Sequence, residues 1–224
     1  MDSILIYHGS EKVVIPQFGE GKVHNDYGQG FYCTEHIEMA KEWACAGNKE
    51  GYVNQYSLDT DGLDILNLNA DGLNILNWLA ILLENRRFAI AGGLPVAARN
   101  YILENFLPDY KDFDIIRGYR ADDSYFAYAT DFVNNTLSLR KLKKAMMLGA
   151  LGEQIVLKSR EAFDRVTPLL ATPVERSIYY SKYAKRDSQA RADYRLLASE
   201  PLEADDIFIL DIIREGIKDG DARL

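Results

Sequence analysis

Three phrases of the chain carry residue types that could act on one molecule: Tyr7-His8-Gly9-Ser10, Gly28-Gln29-Gly30-Phe31-Tyr32 and Gly152-Glu153-Gln154-Ile155-Val156. In chain order they supply an imidazole, a phenol ring and a carboxylate. A carboxylate can steady positive charge that develops on a sugar carbon as its substituent departs. An aromatic face and backbone amides can hold a flat leaving group. Each residue taken alone has a plainer reading. His8 would be a satisfied structural histidine, Tyr32 a core ring in a chain with fourteen tyrosines, and Glu153 a surface carboxylate at a strand end. Their order and local contexts favour the joint reading, which requires all three to meet around one pocket.

The elements that must position them can be read from pattern. Ile4 to Tyr7 is a short apolar run before a His-Gly turn and reads as a strand. Residues 16–30 hold Pro16, Gly19, Gly21, Asn25, Gly28 and Gly30, a loop of turn formers. Phe31 to Cys33 is extended, and Thr34 is placed to cap a helix over about 35–46, with Ile37, Ala40, Trp43 and Ala44 on one side. Tyr52 to Leu58 alternates as a strand does. The spacing predicts helices over 76–90, 96–106, Asp122 to about Asn134, Leu139 to Leu148 and 175–198. Strands are expected at Asp114 to Arg117 and Glu153 to Leu157, and Ile207 to Leu210 reads as a short strand or the prelude to a last helix. Asp61-Gly62-Leu63-Asp64-Ile65-Leu66-Asn67 is nearly repeated by Asp71-Gly72-Leu73-Asn74-Ile75-Leu76-Asn77. Two copies are too few for a solenoid, so this reads as a local duplication or coincidence.

Composition is that of an ordinary globular chain, 224 residues with 47% hydrophobic and 27% charged residues. The longest apolar run, Leu73 to Leu83, is broken by Asn74 and Asn77 and falls short of the roughly 20 residues a membrane span takes. No export signal is visible, and Cys33 and Cys45 are expected to be reduced thiols of a cytoplasmic protein. The charge of −8 is uneven. Residues 1–130 hold 10 Lys/Arg against 19 Asp/Glu, residues 131–199 hold 13 against 7, and residues 200–224 hold 3 against 8. The basic stretch, with Arg140, Lys141, Lys143, Lys144, Lys182, Lys185, Arg186, Arg191 and Arg195, reads either as a face for nucleic acid or an acidic partner, or as solvated helix surface. Cys33 and His36 lack a second ligand pair, so no metal site is expected. Dinucleotide-fold, phosphate-loop and serine-hydrolase fingerprints are absent.

The ordered trio resembles the His-Tyr-Glu arrangement of the ADP-ribosyltransferase superfamily, in its diphtheria-toxin and poly(ADP-ribose)-polymerase branch. That resemblance implies an α+β fold, a split antiparallel sheet with flanking helices, with NAD bound in the cleft between the halves. It implies that His8 bonds a ribose hydroxyl within the His-Gly-Ser phrase ending at Ser10, and that the Gly9 backbone holds the nicotinamide amide. Tyr32, after Gly28-Gln29-Gly30-Phe31, would stack on the nicotinamide. Trp43 stands eleven residues on, where the family has a further aromatic. Glu153 would polarise the ribose 2′-hydroxyl. One departure is Ala40, at a position where that branch has a small hydroxyl residue. Arg117, Arg120, Asp122 and Asp123 would touch NAD phosphates or the acceptor, or form a buried salt bridge and a helix cap.

A closer similarity is to an uncharacterised bacterial family known only as a domain of unknown function. It shares the His-Gly and Gly-x-Gly-Phe-Tyr-x-Thr phrases, then Asn77-Trp78-Leu79 with Asn85-Arg86 and Asp114-Ile115-Ile116 with Arg120-Ala121-Asp122-Asp123, over about 1–165. Such domains are read as ADP-ribosyltransferase toxins encoded beside a small antitoxin-like partner. The expected organisation is a transferase-like domain at 1–170 and a helical C-terminal extension at 171–224 packed on it. The expected activity is NAD-dependent mono-ADP-ribosyl transfer to an unidentified protein or nucleic-acid acceptor. Two rivals are a catalytically silent NAD- or ADP-ribose-binding module and a basic-faced RNA or protein interaction domain.

Overall fold

A computed structural model describes residues 3–70, 72–121, 123–148 and 152–224, and within 123–126 the backbone alone. In chain order the elements are β1 (Ser3–Ser10), β2 (Phe31–Cys33), α1 (Ile37–Cys45), β3 (Gly51–Asp59), β4 (Ile65–Asn67), α2 (Ile75–Asn85), α3 (Gly93–Phe106) and β5 (Ile115–Tyr119). They continue with α4 (Asp123–Val133), α5 (Leu139–Ala145), β6 (Glu153–Leu157), α6 (Arg160–Asp164), β7 (Val166–Val174), α7 (Arg176–Ser199) and α8 (Ile209–Glu215). The fold class is α+β, with two mostly antiparallel sheets. One has strand order β1-β3-β7 and the other β2-β6-β5-β4, in which only β4 and β5 run parallel.

The two sheets pack face to face through Ile6, Tyr56 and Leu58 of the first and Phe31, Cys33, Ile115, Ile155 and Leu157 of the second. They also join at one edge. Tyr7 and Thr34 exchange backbone hydrogen bonds, 2.8 Å and 3.0 Å, which ties β1 to the end of β2. The opposite face of the second sheet, carrying Ile116 and Val156, is covered by α2, α3, α4, α5 and α8 in a larger core around Trp78, Phe106, Tyr128 and Phe132. A third, smaller core sets Ala40, Ala44 and Cys45 of α1 against Val53 and Val174. Cys33 and Cys45 are both buried and unbridged. No described helix is long and apolar enough to cross a membrane.

Several expectations need correction. α1 begins at Ile37, and its N-cap position is His36, whose side chain makes no cap bond. Thr34 Oγ1 instead accepts from the His36 backbone N–H, two residues on, at 3.2 Å. The expected division at 170 falls inside β7, which pairs along β3 from Val166 to Val174. β7 is also a strand that the pattern did not announce. Asp122 and Gly149, read as a cap and a helix stop, lie outside the described residues.

Much of the basic stretch is engaged internally. Lys182 and Arg186 on α7 meet Glu38 and Glu42 of α1 at 3.2 Å and 2.8 Å, and Arg191 pairs with Asp187. Arg140 binds Asp206 at 2.9 Å and Glu203 at 3.0 Å. Lys141 is buried, its ammonium donating to the Ala198 and Glu200 carbonyls that end α7. These cations hold α7 and the acidic C-terminal segment onto the body. Cations engaged with carboxylates and carbonyls in this way are less available to neutralise phosphates.

Gly9 is required by packing. A Cβ built there would lie 1.9 Å from the Ala40 carbonyl oxygen and 2.6 Å from the Ala44 amide nitrogen. α1 therefore rests directly on the β1 backbone. Gly9→Ala is expected to lower stability by about 3 kcal/mol, since both obstructing atoms are backbone. Urea denaturation of the two chains measures this, and a loss below about 1 kcal/mol would mean that α1 can shift freely.

Candidate active site

A cleft of about 640 Å³ opens where the two sheets join. That volume lies within the range of roughly 300–1,000 Å³ usual for small-molecule and cofactor pockets. His8 and Gly9 enter it from β1, Phe31 and Tyr32 from β2 with Gly30 just before, and Trp43 from α1. Arg120, Ala121 and Gln154 close the far side, and the 14–26 loop forms the rim. Six of the expected ligand-binding residues thus share one cavity: His8, Gly9, Gly30, Tyr32, Trp43 and Arg120.

His8 is fixed in one orientation. Its Nδ1 lies 2.7 Å from the Tyr32 carbonyl oxygen. A carbonyl only accepts, so Nδ1 carries the proton and donates, leaving Nε2 with its lone pair. Burial lowers the pKa of the ring, and the bond to Tyr32 only partly opposes that. The ring also packs against Phe31, centroids 4.7 Å apart. His8 is therefore a neutral imidazole with one acceptor nitrogen to offer.

Tyr32 does not offer its hydroxyl. The O–H donates to the Gly28 carbonyl at 2.6 Å and accepts from the Tyr27 N–H at 3.0 Å, closing the Gly-rich turn on itself. Burial raises its pKa far above the ordinary phenol range. What remains available is the face of the ring. Lys158 braces the same turn, donating to the Tyr27 and Gln29 carbonyls at 2.6 Å and 2.7 Å.

Two expected members fall elsewhere. Ser10 does not line the cleft. Its hydroxyl donates to the Lys12 carbonyl at 2.6 Å and accepts from Asn54 Nδ2 at 3.0 Å, a bond between β1 and β3. Glu153 opens onto a neighbouring pocket of about 390 Å³, with Asn69, Tyr119, Met146, Met147 and Gly152. One carboxylate oxygen accepts from Asn69 Nδ2 at 2.5 Å, and the other lies 3.6 Å from Arg117, which also pairs with Glu35. Strand alternation explains the placement. Successive side chains of β6 point to opposite faces, so it is Gln154 that enters the cleft. Among the described residues, Arg120 alone lines both cavities.

Sequence reasoning missed the buried carboxylate of the cleft. Asp26 is 6% exposed. It accepts from Gln154 Nε2 at 2.9 Å and the Ala121 N–H at 3.0 Å, with Arg86 at 3.7 Å. Burial raises its pKa, while those hydrogen bonds and the charges of Arg86 and Arg120 pull it back. Nothing in the loop sequence distinguished Asp26 from a turn-forming aspartate. Its neighbour Tyr27 donates to the Tyr119 carbonyl at 2.6 Å and accepts from the Trp78 indole N–H at 2.8 Å. That carbonyl also accepts from Trp78 at 3.1 Å and Gln154 at 3.2 Å, which pins the end of β5 beside Arg120. Among the described residues no group of His, Cys, Asp and Glu could hold a metal ion.

A pH dependence follows from His8. Its folded pKa lies below the unfolded value of about 6.5, so the unfolded chain takes up the proton first as pH falls. Its contribution is fully present above about pH 6.5 and is lost as pH drops toward the folded pKa. His8→Gln is expected to flatten stability between about pH 7 and 5 relative to the unsubstituted chain. Chemical denaturation at each pH measures it, and parallel profiles would contradict a buried neutral imidazole.

Comparison with known proteins finds no match among curated proteins or solved structures. A family described as "Protein of unknown function (DUF3990)" matches residues 4–167. That span is well over half of the chain and contains every cleft residue except Tyr183. The chain belongs to the DUF3990 family.

Proposed function

We propose that the protein is an NAD-dependent mono-ADP-ribosyltransferase, with a fold of the split-sheet type that such enzymes use. The observation that carries this reading is the meeting of His8, Gly9, Tyr32 and Trp43, from two strands and a helix, in one cleft. The donor set suits NAD. A neutral imidazole with a free acceptor nitrogen can take a ribose hydroxyl proton donor. Aromatic faces at Tyr32 and Trp43 suit a flat pyridinium, and the indole N–H of Trp43 is buried with no hydrogen-bond partner among the described residues. Arg86 and Arg120, with Lys22 at the rim, are cations of the cleft suited to a diphosphate.

The reaction breaks the bond between nicotinamide nitrogen and the ribose anomeric carbon. The electron pair leaves with the nicotinamide, which becomes neutral, and the sugar becomes an oxocarbenium-like cation. A nucleophile on the acceptor then adds to that carbon and loses its proton. Among the groups of this chain, His8 would orient the ribose, the β2 turn would hold the ring, and Glu153 would steady the cationic sugar. By the same resemblance the enzyme would be a bacterial toxin with a small antitoxin-like partner.

One observation favours a silent NAD-binding module instead. Glu153 is engaged with Asn69 and Arg117 outside the cleft, and Ala40 is wholly buried without a hydroxyl to give.

Purified protein is expected to release nicotinamide from NAD. Glu153→Gln should reduce that release by about 10²–10³-fold, the loss seen when a group that stabilises transition-state charge is removed, while calorimetric affinity for NAD changes little. Binding without release in the unsubstituted chain would establish the silent module, and no binding would end both readings. Labelled NAD incubated with cell extract would then show whether the acceptor is protein or nucleic acid.

A further inference from the structure

The face of Trp43 in the cleft is already covered. The Arg120 guanidinium lies over the indole ring, 4.6 Å from its centroid. A guanidinium is a flat, delocalised, permanently charged group that stacks on aromatic rings. A pyridinium is likewise a flat delocalised cation, and both are attracted by the negative face of the indole. The two therefore compete for one surface. Arg120 is also the described residue common to the large cleft and the Glu153 pocket. A ligand that takes Trp43 moves the side chain standing between them.

We propose that Arg120 is a built-in competitor for the ligand, displaced from Trp43 by a flat cationic ring in an exchange that opens the cleft toward Glu153. This rests on the NAD reading for its biological ligand, though the cation-binding face of Trp43 stands without it. The acceptable exchange partner is set by charge. A neutral ring gains less from the indole face than the guanidinium it would remove, whereas a pyridinium replaces one cation by another. The Asp26 carboxylate, close enough to act on Arg120 electrostatically, gives the displaced guanidinium a counter-charge within the same cavity.

The test uses the full chain and two small probes without ribose or phosphate, the N-methylnicotinamide cation and neutral nicotinamide. Binding is followed by tryptophan fluorescence and calorimetry. Arg120→Met removes the competitor, so apparent affinity for both rings is expected to rise by a similar factor, about five-fold or more, with the cation remaining the tighter of the two. Arg120→Gln should move both probes in the same directions, which guards against a folding defect in the first variant. Adding Trp43→Leu to Arg120→Met should abolish the gain. Unchanged or weaker cation binding in both Arg120 variants, tightening of the cation alone, or a gain that survives Trp43→Leu would each overturn the proposal. Failure of the enzymatic reading is separately visible, because it shows as absent nicotinamide release from NAD whatever these probes do.

Discussion

The arrangement depends on one short contact, the pair of backbone hydrogen bonds between Tyr7 and Thr34. Two sheets packed face to face need not touch at an edge. Here they do, and the contact places the residues just beyond it, His8 and Gly9 on one strand and Tyr32 on the other, side by side. His8 completes the junction by donating to the Tyr32 carbonyl. Because Gly9 has no side chain, α1 can lie on the same junction and deliver Trp43. The cleft is thus a consequence of how the sheets are joined, and its lining residues are also its structural seam.

That double use explains which groups remain chemically available. The Tyr32 hydroxyl, the His8 Nδ1 and the Ser10 hydroxyl are all engaged in holding backbone or neighbouring strands. Buried polar groups without partners are costly, so the seam uses most of its donors internally. The Tyr32 ring face, the Trp43 indole N–H and one imidazole nitrogen are left to meet a ligand. The electrostatics of the rest of the surface follow the same economy. The basic α7 and the acidic segments near it neutralise one another, as Lys182, Arg186 and Arg140 illustrate.

Alternation along β6 separates two adjacent residues into different cavities. Gln154 reaches inward to Asp26 and the Tyr119 carbonyl, and Glu153 turns to Asn69 and Arg117. The linear motif made them one phrase. A strand cannot present neighbours to the same side. Among the described residues Arg120, just past the end of β5, is the one that lines both cavities.

By itself the sequence determined the local pieces: the strands at β1, β3, β5 and β6, the helices α1 to α5 and α7, and the residue types that gather at the seam. Periodicity and capping act over a few residues, and those signals are local. Tertiary structure decided the rest. Leu63-Asp64-Ile65-Leu66-Asn67 and Leu73-Asn74-Ile75-Leu76-Asn77 are nearly identical, yet the first forms β4 and the second opens α2. In the first, Asp64 is bonded to the Asp114 backbone and Ile65 pairs beside β5. In the second, Asn74 and Asn77 cap a helix whose apolar side faces the large core. β7 was hidden because Pro168 and Pro173 argue against a strand, and an edge position alone makes them tolerable. Asp26 and the stacking of Arg120 on Trp43 join residues far apart in the chain, and only the assembled fold could bring their charges together.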